Sequence, residues 1–81
     1  MRAEELRDLL RRRPFVPIRL HLTDGTTYEV RHPEMAMLTR STVEIGLEHE
    51  EGSGIAEQVV CCSLGHIVRI EHVDGRTAHA S

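Results

Sequence analysis

The sequence predicts a mainly β domain with one N-terminal helix, built as a small five-stranded antiparallel barrel. Three observations carry that expectation. Apolar residues recur three and four positions apart before Pro14, they alternate with polar residues beyond Pro17, and 81 residues are too few for two independent cores. At 40% hydrophobic and 28% charged residues the composition is that of an ordinary globular chain, which sets aside a disordered tail or a membrane protein. No run approaches the ~18 apolar residues that a membrane-crossing helix requires. The start, Met1-Arg2-Ala3-Glu4-Glu5, lacks the basic-then-apolar plan of a secretory signal, so a cytoplasmic location without membrane partners is expected.

From Ala3 to Arg12, Leu6, Leu9 and Leu10 form one narrow stripe of a helix. Glu4 and Glu5 lie in its first turn and Arg11, Arg12 and Arg13 at its end, matching the helix dipole at both termini, while Pro14 stops it. A helix of about ten residues is marginal alone, so its leucine face must be docked.

After Pro17 the period becomes two. Ile18, Leu20 and Leu22 alternate with Arg19, His21 and Thr23, then Asp24-Gly25 turns the chain and Thr26, Tyr28 and Val30 resume the pattern. The register follows from the apolar faces. A two-residue loop would set Leu20 opposite Glu29 and split the apolar residues between both faces. A three-residue loop, Thr23-Asp24-Gly25, sets Leu22 against Thr26, Leu20 against Tyr28 and Ile18 against Val30, all on one face. Gly25 then takes a left-handed bulge position.

Pro33 has no N–H to donate, so His32-Pro33-Glu34 should bend the chain. Met35, Met37 and Leu38 follow as a strand or an irregular segment, and Thr39 to Thr42 form a polar turn. Val43, Ile45 and Leu47 alternate in the next strand. Glu48 to Gly54 reads as a solvated loop, with Glu48, Glu50, Glu51 and Glu57 serving solvation rather than acid–base chemistry. Gln58 to Ser63 and Ile67 to about Val73 are the last two strands, joined by a short turn at Ser63-Leu64-Gly65. The domain thus spans residues 1–73, and the tail from Asp74 to Ser81, without core residues, should fray. A sheet this small sheds its edges most readily by curling into a half-open barrel of the SH3 or Sm type; an open sheet with the helix on one side is the alternative.

No catalytic residue, metal ligand or cofactor site stands out, and an enzyme is not expected. There is no nucleophile elbow and no phosphate-cradling glycine loop, and the six histidines are scattered without paired ligand spacing. Cys61 and Cys62 are adjacent, so on a strand they point to opposite faces and should remain reduced thiols. Two patterns remain. Five arginines against Glu4, Glu5 and Asp8 give the first 13 residues a charge of +2 and leave −5 for the rest, so Arg11, Arg12 and Arg13 are candidate nucleic-acid contacts; dipole compensation explains the same residues. With only Phe15 and Tyr28 as aromatics, base stacking has little support. The second pattern lies in the last two strands, where Val59, Val60, Ile67, Val68 and Ile70 place apolar residues on both faces and become candidates for self-association.

The run Phe15-Val16-Pro17-Ile18-Arg19-Leu20-His21-Leu22-Thr23-Asp24-Gly25, then Tyr28 to Glu34, and finally His66-Ile67-Val68-Arg69-Ile70-Glu71, resembles a group of short uncharacterised bacterial proteins. These share an R-R-P-F opening, a D-G hairpin and an H-I-x-R-I-E ending, and the resemblance covers about Leu6 to Glu71. It implies a fold and no particular activity. More distantly, a helix, an L-x-D-G hairpin and three further strands are similar to Sm-like proteins, which form rings by strand pairing and bind RNA. Those proteins read RNA with an Asp-x-x-Met-Asn type loop and a later Arg-Gly segment. The corresponding stretch here is His32-Pro33-Glu34-Met35-Ala36-Met37, Asn is absent from the chain, and Ile70 follows Arg69. The expected function is a structural or interaction module, a homo-oligomer or partner of another protein; RNA or DNA binding through the arginine-rich helix end is the alternative.

Overall fold

A computed structural model describes residues 1–73. The boundary expected at residue 73 and the tail beyond it lie outside what those residues can show. Helix α1 runs from Ala3 to Arg11, its start held by Glu5 Oε1, which accepts the Arg2 N–H at 3.0 Å. At its end Arg13 Nη1 donates to the carbonyls of Leu10 (3.2 Å) and Arg12 (2.9 Å), groups that the last turn leaves without helical partners. Leu6 is buried and Leu9 and Leu10 pack beside it, so the leucine stripe is the docked face.

Strands β1 (Ile18–Leu22) and β2 (Thr27–Val30) form the hairpin in the expected register, with Ile18 opposite Val30 and Leu20 opposite Tyr28. The Leu22 N–H donates to the Thr26 carbonyl at 2.9 Å, and Gly25 has φ +88°. Asp24 Oδ1 accepts the Thr26 N–H at 2.9 Å, which holds the Asp24 carboxyl below the ordinary carboxylate range. Beyond β2 a single 3-10 turn, Pro33–Met35, leads into β3 (Ala36–Leu38). The segment that the sequence left between strand and irregular is therefore a short strand, and the strands among the described residues number six rather than about five. Strands β4 (Thr42–Glu48) and β5 (Ala56–Ser63) follow, then a second 3-10 turn, Leu64–His66, and β6 (Ile67–His72). β5 starts two residues earlier than its apolar run.

The strands form two three-stranded antiparallel sheets, ordered β2-β1-β6 and β3-β4-β5. Among the described residues no closed barrel forms, and six strands in two sheets stand where one five-stranded half-open barrel was expected. The break falls where Pro33 removes a donor and the 3-10 turn takes the chain out of extended geometry between Val30 and Ala36. The second 3-10 turn ties the sheets together: the Leu64 N–H donates to the Ser41 carbonyl and the Thr23 N–H to the His66 carbonyl, each at 2.9 Å.

One apolar cluster lies between them. Ile18, Leu20 and Val30 from the first sheet, Val43, Ile45 and Cys62 from the second, and Leu6, Leu64 and Ile67 are buried in it. No polar side chain among the described residues is buried, so the interior needs no internal hydrogen-bond network. No helix among them is long and apolar enough to cross a membrane.

Gly25→Val should destabilise the domain by at least roughly 1–2 kcal/mol, because a Cβ in the left-handed region meets its own backbone and β-branching adds to the clash. Thermal unfolding measures it. Gly25→Asn, which tolerates that region better, should lose less, and equal stability of all three proteins would contradict the bulged hairpin.

Candidate functional site

The second sheet ends in an open strand. Among the described residues β5 pairs only with β4, and from Gln58 to Ser63 its register is unbroken, opposite Leu47 to Thr42. Cys62 is buried, Val60 is half-buried against the core, and Val59 on the opposite face is 62% exposed. Gly46 pairs with Val59, and Glu44 with both Cys61 and Met37, so these side chains share the outward face. A Cβ on Gly46 would stand 3.1 Å from the Ala56 Cβ and 3.2 Å from the Met35 Cε. Its absence lets Met35 lie close over the strand. The result is a groove of about 240 Å3 walled by Met35, Met37, Ala56 and Val59, with Glu34 and Glu44 at its rim. Cys61 and Cys62 are both free thiols, one exposed and one buried, as expected of neighbours on a strand; burial pushes the Cys62 thiol up.

β6 is the open edge of the first sheet. Leu22 and His21 pair with Ile67 and Arg69, which leaves Val68 as the extra residue of a bulge, 63% exposed. Of the five side chains expected at a self-association surface, Val59 and Val68 reach solvent. Ile67 is buried in the core, and Val60 and Ile70 are half-buried against it, because the inward face of each strand has to fill the space between the sheets.

The arginine cluster divides as well. Arg13 is engaged on the helix end, whereas the guanidinium groups of Arg11 and Arg12 are exposed with no ion pair or hydrogen bond among the described residues. Arg7, Arg11 and Arg13 wall a groove between α1 and the Pro33–Leu38 segment, floored by Leu10, Pro33, Ala36 and Leu38.

The feature that the sequence did not disclose is a chain of alternating charges across the outer face of the first sheet. Arg31 bridges Glu51 (3.3 Å) and Glu29 (2.9 Å); Arg19 bridges Glu29 (2.7 Å) and Glu71 (3.3 Å); His21 Nε2 stands 2.6 Å from Glu71 Oε1, and Arg69 lies against the His21 ring at 3.2 Å. Strand register accounts for it, since Arg19 sits opposite both Glu29 and Glu71, and His21 opposite Arg69. His21, placed by its alternation on a solvent face, is mostly covered by these neighbours. Glu51 thus joins an ion pair, and Glu48 folds its own loop by accepting the Gly52 and Gly54 N–H groups at 3.1 and 2.7 Å. Among the described residues no three metal-capable side chains converge. Solvent screens half-exposed ion pairs, which contribute less than a buried Leu or Ile, so the chain tunes a fold that the core sustains.

Comparison with protein-family models, with curated proteins and with solved structures finds no match for this chain.

The Glu29 carboxyl is held below the ordinary glutamate value of 4.5 chiefly by its hydrogen bond from Arg19, and the Glu71 carboxyl chiefly by its bond to His21. Both are depressed in the folded chain, so their contribution is complete above the unfolded value and is lost as pH falls through the lower folded value. Stability to urea should therefore decline modestly on acidification below about pH 4.5. Glu29→Gln should be less stable at neutral pH and show a shallower acid loss; an acid profile unchanged by that substitution would contradict the assignment.

Proposed function

We propose that the chain is a non-catalytic interaction module that associates with further copies of itself through the edge strand β5, its two sheets being the halves of a half-open barrel of the SH3 or Sm kind. Chain order supports the barrel. If β2, the turn at Pro33 and β3 are counted as one bent strand, the order becomes β6-β1-β2/β3-β4-β5, with β6 and β5 as the two free edges. Edges of this sort attract pairing unless they are blunted. Each edge carries one bulge, β6 at Val68 and β5 at Glu57, but β6 keeps only four residues in regular register, Arg69 to His72, whereas β5 presents six next to the Met37–Val59 patch. That longer regular edge beside exposed apolar side chains is the observation that carries the proposal. A second copy supplies what fits it: backbone donors and acceptors along the strand and aliphatic side chains for the groove. Pairing β5 with β5 stops at a dimer, while pairing β5 with a β6 edge continues head to tail into a ring or a filament.

Sedimentation velocity of the full chain at micromolar concentrations should give a mass above the monomer. Val59→Lys, an edge charge that discourages strand addition, should give a monomer with unchanged circular dichroism. A monomeric parent chain across that range, or a Val59→Lys variant as assembled as the parent, contradicts self-association through β5.

A further inference from the structure

The α1–β3 groove has a different chemistry from the β5 edge, and it is built from two elements that the sequence never marked as neighbours. Its volume is about 490 Å3, and past Arg7 and Leu38 it continues into a second depression of about 260 Å3 that reaches Thr39 and Arg40. Four guanidinium groups, those of Arg13, Arg11, Arg7 and Arg40, therefore line one seam. Arg7 is paired with Asp8 at 3.2 Å and Arg13 with the helix end, but Arg11 and Arg40 form no ion pair or hydrogen bond among the described residues. Between the arginines the floor is aliphatic: Leu10, Pro33, Ala36 and Leu38. Two carboxylates, Glu34 in the first depression and Glu4 in the second, are outnumbered.

We infer that this seam binds an extended acidic peptide segment of a partner protein, in which carboxylates alternate with aliphatic side chains. Complementarity selects that occupant. Guanidinium groups prefer carboxylate or phosphate, and charge-assisted bonds from Arg are among the stronger polar contacts. Phosphate on a single-stranded nucleic acid would bring bases as well, and no aromatic side chain lines either depression to stack them. An aliphatic floor gives bases no counterpart but buries Leu or Val side chains well. The elongated seam, with unpaired arginines in both depressions, suits a segment rather than a single small carboxylate.

The test uses the full-length Val59→Lys chain, so that failure of self-association and failure of this site are read separately. Fluorescence anisotropy follows a labelled peptide of alternating Glu and Leu, against an all-Glu peptide, a Gln/Leu peptide and an oligo-dT strand. The Glu/Leu peptide should bind at least about tenfold more tightly than each of the other three. Arg7→Gln with Arg11→Gln, substitutions of similar helix propensity, should weaken it by about tenfold or more while leaving thermal unfolding in place. Equal binding of the all-Glu peptide, tighter binding of oligo-dT, displacement of the peptide by a second copy of the chain, or an unaffected double variant would each overturn the assignment.

Discussion

Ile18 and Leu20 sit fully buried on β1, the middle strand of the first sheet, and share one apolar cluster with Val43 and Ile45 on β4, the middle strand of the second. The rest of the molecule depends on that shared interior. A chain of this length buries a modest fraction of its surface, and each three-stranded sheet buries its apolar face against the other in that one cluster. Leu6 and Leu64 extend the cluster from α1 and from the turn between β5 and β6. Because the two middle strands are committed to the interior, the outward faces and the outer edges are left free to meet other molecules.

Much of this architecture was legible locally. The helix showed in Leu6, Leu9 and Leu10 because a 3.6-residue period needs only nine residues to appear, and the hairpin register followed from requiring Ile18, Leu20, Tyr28 and Val30 to share a face. What was not legible depended on distant partners. Leu64 lies in a Ser-Leu-Gly turn, where an isolated leucine carries no period, yet the Ser41 carbonyl draws its backbone in and its side chain fills the core. The ion-pair chain joins Arg19 and His21 to Glu71, some fifty residues away, and emerges only once β6 is known to pair with β1. Ile67 and Val68 are adjacent and both apolar, so alternation alone does not say which of them faces inward. The bulge there changes the register so that the two neighbours part, one inward and one out.

The same logic separates the surfaces. The outer face of the first sheet is saturated with its own charges, each carboxylate in the chain meeting a cation, and such a face resists strand or peptide addition. Sheet two has no comparable network: its outer face carries methionines, a valine and a glycine that lowers the floor beneath Met35. The arginines at the end of α1 serve the helix dipole in part, but only Arg13 turns back onto the helix, and its neighbours stay available. One end of a short helix thus stabilises itself and presents charge to a groove.

Native-state hydrogen exchange of the full chain tests the shared interior most directly, because amides in one cooperative unit open with one free energy. Amides of Leu20 on β1 and of Ile45 on β4 should exchange only through global unfolding, with the same free energy and the same denaturant dependence. Exchange of the β4 amides through a separate, lower-energy opening while β1 stays protected would show that the two sheets do not share a core.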